Sequence, residues 1–318
     1  MIAVKLVGRI GNQLFIYAAA EAIRQKRGRN EKIVFFDESI LREGWVNSLV
    51  DYDLKNVEYR HDFSKLELVT RLQMAIVLRF YRWFNLTREN RVKRYKFEKF
   101  FQPVLNMLGI ISCIDGYTKI ITPFTNHVYM DGYFQSERYF KGYEDLLKDT
   151  FSYRLPILRE KEYVKQFETR NSVCISIKVE HNVGHPSFDV CDQTYYRQAI
   201  DYITSQVENP LFFVCSDNVP YVLEHFIDKG KYDYVCQEKG LPVSDALAIM
   251  GACKHFIVGN TSFGWWAQYL SSNTNKIVIA PNFWYRPDSN VQCDIYLKNW
   301  HLIDVSEYIE KTNDQYKN

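Results

Sequence analysis

Between Ser172 and Ala280 short apolar runs alternate with amphipathic stretches, and this alternation restricts the fold more than any other feature of the chain. Strands are predicted over Ser172–Val179, Leu211–Ser216, Tyr232–Cys236, His255–Val258 and Lys276–Ala280. Helices are predicted between them, over Thr194–Gln206, Val219–Phe226, Val243–Ala252 and Phe263–Leu270. Strands that each return through a helix form a parallel sheet wound by right-handed crossovers. The N-terminus opens in a similar way. Ile2–Val7 reads as a buried strand, Gly8–Gln13 as a turn, Leu14–Arg24 as an alanine-rich helix, and Lys32–Asp37 as a second strand. Further on, Val128–Tyr139 reads as a strand followed by an aromatic turn, and Asp149–Asn171 as a connector containing a helix. With 318 residues there is chain enough for two cores. The expected organisation is an α/β domain over 1–150, carrying a basic helical insertion, and a second α/β domain over 151–318.

Composition narrows the function classes. A net charge of +2 argues against a dedicated nucleic-acid binder, which carries a large basic excess. Seven cysteines, an odd number without a C-x-x-C pair, read as reduced thiols in a cytoplasmic protein rather than as a disulfide frame or a zinc site. The aromatic share of 16% suits an aromatic-rich core as well as a sugar-binding cleft. Met1 leads directly into Ile2–Val7 with no basic stretch before it, so no signal peptide is expected. The longest apolar stretches, such as Leu108–Ile114 and Lys276–Pro281, fall well short of the ~20 residues that span a bilayer. One region stands apart in charge: between Thr70 and Phe100 nine basic residues, Arg88 among them, face only Glu89 and Glu98. With Leu72, Phe80, Trp83 and Phe84 interleaved, residues 70–100 read either as a peripheral contact with the inner membrane or as core helices with a solvated basic face.

Three strand-to-helix turns carry candidate chemistry. In Gly8-Arg9-Ile10-Gly11-Asn12-Gln13, glycines precede a helix whose free N–H groups and dipole favour a phosphate; the same pattern also serves a plain tight turn. It is not G-x-G-x-x-G, so a dinucleotide cofactor is poorly supported even with Asp37 about where a ribose-binding acid sits. In Phe212–Asn218 a buried strand ends in Ser216 and Asp217; the carboxylate either accepts hydrogen bonds from a nucleoside or caps the next helix. In His255–Trp266 the turn Asn260-Thr261-Ser262-Phe263 puts two hydroxyls and several N–H groups at a helix start, suited to a pyrophosphate or to simple N-capping. Asp51-Tyr52-Asp53 matches the D-x-D of metal-dependent transferases but ends no buried strand and reads as a turn. No metal is expected, since His and Cys lack ligand spacing.

The segments GRIGNQLFIYAAA (8–20), GYFQSERYF (132–140), VCDQTYYRQAI (190–200), FFVCSDN (212–218), ACKHFIVGNTSFGWWAQYL (252–270) and KIVIAP (276–281) together resemble glycosyltransferase family 11 in order and spacing. The resemblance implies a GT-B-like architecture, two Rossmann-like domains facing a cleft, with the acceptor on the N-terminal side and the donor on the C-terminal side. It also implies inverting, metal-free transfer, usually of L-fucose, from GDP-fucose to the 2-hydroxyl of a galactoside. The expected setting is bacterial surface polysaccharide synthesis on an oligosaccharide or, if residues 70–100 contact the inner membrane, a lipid-linked glycan. By the same resemblance Arg9 and Asn12, beside Gly8 and Gly11, face the donor phosphate or the reacting centre. Asp217, next to Ser216, faces the guanine, and Thr261 and Ser262, with Asn260 and Phe263 beside them, the pyrophosphate. One motif departs. Where the family carries H-x-R-R-x-D, this chain has Lys178, Glu180, His181 and Val183. Three readings follow: Lys178, His181 or Arg9 has taken over the arginine role, the donor is a different nucleotide sugar, or the chain is an inactive sugar-binding homologue. Glu180, His181 and Asp37 are the candidates for a general base.

Overall fold

In a computed structural model, which describes residues 1–86, 90–152, 154–227 and 230–316, the opening apolar run forms strand β1 (Ile2–Lys5). The first unit of the chain comprises Met1–Leu147 and Asn290–Tyr296. Its elements after β1 are α1 (Ile10–Arg27), β2 (Ile33–Phe36), α2 (Glu38–Arg42), β3 (Val57–Arg60), α3 (Leu68–Trp83), α4 (Arg91–Met107), β4 (Ile110–Cys113) and β5 (Val128–Gly132). The sheet runs β3-β2-β1-β5-β4 with every pair parallel; Ile2 is in register with Ile33 on one side and Val128 on the other. Helix α1 is buried almost all round from Leu14 to Ala20, because Ala18, Ala19 and Ala20 let it approach its neighbours closely. It begins at Ile10, four residues before the expected start at Leu14, so Gly11, Asn12 and Gln13 belong to its first turn rather than to a loop.

Strands β3 and β4 were not expected. Each is four residues long, and Val57-Glu-Tyr-Arg60 is only half-buried, so neither carries a strong period. The basic region proves to be two helices, α3 and α4; Arg88 and Glu89 lie outside the described residues.

The second unit comprises Lys148–Ser289 and Leu297–Asn318, the boundary falling within α5 (Glu144–Phe151). It contains α6 (Leu155–Leu158), α7 (Glu162–Thr169), β6 (Asn171–Ile177), α8 (Gln193–Gln206), β7 (Pro210–Ser216), α9 (Val219–His225) and β8 (Asp233–Cys236). These are followed by α10 (Val243–Gly251), β9 (His255–Val258), α11 (Ser262–Leu270), β10 (Val278–Pro281), β11 (His301–Ile303) and α12 (Ser306–Thr312). The stretch read as a connector therefore holds a helical run that leads straight into β6. All strands pair in parallel, in the order β11-β10-β9-β6-β7-β8. The chain winds outward from β6 to β8, returns past β6 to β9, and winds outward again to β11, a strand the sequence reading lacked. That is the doubly wound order of nucleotide-binding folds, and the direction reverses between β6 and β9.

Val173, Ile175, Val214, Ile257 and Ile279 from the sheet and Tyr195, Ile200 and Ile203 from α8 form one buried cluster. Apolar burial of this kind contributes about 25 cal/mol per Å² removed from water. On α11, Trp265 and Trp266 are fully buried, and the Trp266 ring meets Phe151 edge-on at 5.3 Å.

The division at 150/151 needs one correction. Residues 290–296 return to the first unit, where the Asp294 carboxylate accepts the Tyr117 N–H at 2.7 Å. A contact between positions this far apart in sequence leaves no local pattern. The two units are thus both parallel-sheet α/β domains, as expected from the alternation of strands and helices.

Candidate functional site

In a doubly wound sheet, ligands bind beyond the carboxyl ends of the strands where the strand order reverses. In the second unit that place is defined by the residues following β6 and β9, with those following β7 alongside. Ile177 pairs with Ser216 and Ser176 with Val258, so Lys178, Asp217 and Gly259 leave the sheet at the same edge. Lys178 Nζ lies 2.7 Å from Oδ2 of Asp217, and the Val179 N–H donates to Oδ1 at 2.8 Å. Burial pushes the Asp217 carboxyl up, but the Lys178 ammonium and the Val179 N–H outweigh it and hold it below the ordinary carboxylate value. Asp217 does not cap α9. That role belongs to Asn218, whose side chain accepts the Tyr221 N–H, while the Ser216 hydroxyl accepts the Asn218 N–H.

At the opposite side of the switch point, the turn after β9 divides its duties. Asn260 is 6% exposed, and its amide is taken up by the protein: it donates to the carbonyls of Phe188 and Trp284 and accepts from Asn182, each at 2.9 Å. Its side chain therefore braces the site from behind. Thr261 is the N-cap of α11, its hydroxyl accepting the Gly264 N–H at 3.0 Å. Ser262 and Phe263 begin the helix, both half-buried. A Cβ at Gly264 would lie 2.8 Å from Ser176 Oγ, so only glycine lets the first turn of α11 sit this close to β6.

The four positions that stand in for H-x-R-R-x-D begin the loop from Lys178 to Asp192. Lys178 is half-buried against Asp217, whereas Glu180, His181 and Val183 are exposed. The loop is held from beneath by residues to which the sequence reading gave no role. Asp189 accepts from the Gly184 N–H and from the hydroxyls of Tyr308 and Tyr316. The fully buried Arg286 donates to the carbonyls of Asp189 and Ile309 and to the side chains of Thr312 and Asn313. A small cavity remains between loop and sheet, lined among others by Ile177, Lys178, Asn182, Cys191 and Gly259.

In the first unit, the turn between β1 and α1 is equally specific. Gly8 has φ +70, and a Cβ there would collide with Nδ2 of Asn12. Arg9 is exposed at the N-cap position, its guanidinium stacked 3.9 Å over the Trp45 ring. Gln13 is wholly buried and fixes two loops: it donates to the carbonyls of Gly8 and Val46 and accepts the Ser48 N–H. Asn12 Oδ1 accepts from Nε2 of Gln135 at 2.7 Å. Gln135 follows Phe134, a buried residue at φ +52, a backbone conformation that L side chains rarely adopt. The run GYFQSERYF was noted in the sequence, but the link from Gln135 to Asn12 appears only in three dimensions.

Asp37 is 1% exposed and bonded to His61 Nδ1 at 2.8 Å and to Asn47 Nδ2 at 3.2 Å. Asp51 and Asp53 are exposed at the end of a single 3-10 turn. Among the described residues no group of three or more His, Cys, Asp or Glu side chains comes together in a way that holds a metal ion.

Known proteins match this chain throughout its length. An α-1,2-colitosyltransferase of Escherichia coli is 24% identical over 310 residues, 96% of this chain and 99% of that protein. The Escherichia coli O-antigen biosynthesis glycosyltransferase WbnK is 24% identical over 312 residues, 93% of this chain and 98% of that protein. Among solved structures, the fucosyltransferase NodZ from Bradyrhizobium aligns with a TM-score of 0.49 at 14% identity, covering 85% of this chain and 92% of NodZ. The profile of glycosyl transferase family 11 matches residues 110–304, more than half of the chain, and the chain belongs to that family of glycosyltransferases.

Proposed function

We propose that this glycosyltransferase catalyses metal-free, inverting transfer of a deoxyhexose, L-fucose in the first reading, from a GDP-linked donor to the 2-hydroxyl of a galactoside in a bacterial surface glycan. The observation that carries the reading is the convergence of Lys178, Asp217 and the first turn of α11 at the point where the strand order of the second unit reverses. The acceptor oxygen bonds to the anomeric carbon as the bond from that carbon to the diphosphate oxygen breaks, and GDP departs with the bonding pair. Lys178 and the positive end of the α11 dipole offset the charge that builds on the leaving group. Asp217 orients Lys178, and we assign removal of the acceptor proton to the exposed loop residues Glu180 or His181 rather than to Asp37, which is already bonded to His61 and Asn47. In the first unit, Arg9 and Asn12 serve the reacting centre, with Gln135 holding Asn12.

A second reading, a different nucleotide sugar, draws on two observations. Glu180 and His181 replace the arginine pair, and a relative matched over nearly all of the chain is named a colitosyltransferase. Incubation of the purified protein with a panel of GDP-, UDP- and ADP-sugars and a galactoside, read by mass spectrometry, separates the readings. Glycosylated product from GDP-fucose supports the first and product from another donor alone the second. No product and no nucleotide-sugar binding in titration calorimetry leaves an inactive homologue.

A further inference from the structure

Helices α3 and α4 pack against each other through Phe80, Phe84, Phe97 and Phe101, whose rings meet at centroid distances of 4.6 to 6.3 Å. The aromatic contact does not stop at the buried seam. The Trp83 ring lies tilted against Phe84 at 6.0 Å and the Phe100 ring meets Phe101 edge-on at 4.9 Å, and these two end residues are 78% and 77% exposed. Leu68 and Leu72 extend the exposed band along α3, and Val104 and Met107 extend it along α4. Spacings of four and eleven residues on α3, and of four and three on α4, place each set on one helical face. A shallow apolar groove runs along α3 beneath Trp83, lined by Leu72, Ile76 and Phe80.

Single exposed apolar side chains are ordinary, but a contiguous aromatic band across two helices marks an interaction surface. The charges around it define the partner. Arg71, Arg79 and Arg82 on α3 and Lys93, Lys96 and Lys99 on α4 are exposed. The one acidic residue within either helix, Glu98, is fully buried and bonded to Arg94. A second copy of this chain docked on the band about a two-fold axis would bring cations against cations. An anionic lipid surface meets both features: headgroups attract the basic rim, and the Trp and Phe rings enter the headgroup boundary. No helix among the described residues is long and apolar enough to cross a membrane, so contact of this kind is peripheral.

We infer that the α3–α4 face of the first unit docks this protein on an anionic membrane surface. The full chain is floated at low salt with vesicles of phosphatidylcholine alone or with phosphatidylglycerol added. Binding is expected only with the anionic vesicles, accompanied by a blue shift in tryptophan emission that Trp83→Ser removes. Replacing Arg79, Arg82, Lys96 and Lys99 by Gln lowers partitioning at least tenfold while far-UV circular dichroism and Tm stay unchanged. No binding at low salt, equal binding to both kinds of vesicle, or a dimer dissolved by Trp83→Ser with Phe100→Ser would each overturn the inference. Vesicle binding is read without donor or acceptor, so its failure is distinct from failure of the transfer reading.

Discussion

The Lys178 ammonium sits 2.7 Å from the Asp217 carboxylate across adjacent strand ends, with the Val179 N–H donating to the second carboxylate oxygen. Aligned strands alone bring these residues together, since Ile177 and Ser216 are in register. The pair sets Lys178 in a defined position at the strand-order reversal. A lysine delivers its charge as a point, whereas an arginine pair delivers it through planar forks, so orientation by a carboxylate matters more here.

If Lys178 neutralises the departing diphosphate, Lys178→Ala lowers kcat by about 100-fold with a much smaller rise in donor KM. Asp217→Asn should lower kcat less, because the cation remains but loses its orientation. Steady-state kinetics with varied donor distinguishes the two patterns; equal changes in KM alone would assign Lys178 to ground-state binding. The pair also links to pH. The folded carboxyl lies below its ordinary value of 3.8, so its contribution to stability is present above that pH and is lost as pH falls through the folded value. Urea midpoints of Asp217→Asn and the parent should therefore converge below about pH 3.8.

Gly8→Ala forces both a strained φ and a collision with Asn12. A loss of about 1–3 kcal/mol in stability is expected, together with displacement of Asn12 from Gln135. Gln135→Ala leaves the backbone free of new strain, so it should keep the melting temperature near the parent's and lower kcat about tenfold by removing one contact that positions Asn12. A parent-like kcat in Gln135→Ala would remove this contact from the machinery.

Arg286 lies outside every element read from the sequence as functional, yet it binds four acceptors while 1% exposed. Arg286→Met leaves those acceptors without their donor and should cost about 3 kcal/mol. Chemical denaturation measures the loss. Limited proteolysis should then cut first within the loop of residues 180–189, which Arg286 and Asp189 brace.

If Lys178 and the first turn of α11 meet the leaving charge as proposed, turnover should survive EDTA. Loss of product on chelation, restored by manganese or magnesium, would contradict this.

The alternation of short apolar runs with amphipathic stretches was enough to give two α/β units and five of the six strands of the second sheet to within two residues, since buried parallel strands are short hydrophobic runs whatever their neighbours. Turn chemistry was legible as well: Gly8, Asp217 and Asn260-Thr261-Ser262 all fall at strand ends facing helix starts. What each side chain does there was not. The capping role fell to Asn218 rather than Asp217, Asn260 turned inward to two carbonyls, and Thr261 became an N-cap. Those outcomes depend on which loops pack behind the turn. Strands β3, β4 and β11 are held by pairing with stronger neighbours and carry little period of their own. The return of residues 290–296 to the first unit, the reach of Gln135 to Asn12 and the clamp of Arg286 on the site loop join residues far apart in sequence. Local propensity is blind to such partners, because their energy exists only once the chain has brought both ends together, and so the tertiary structure alone decided them.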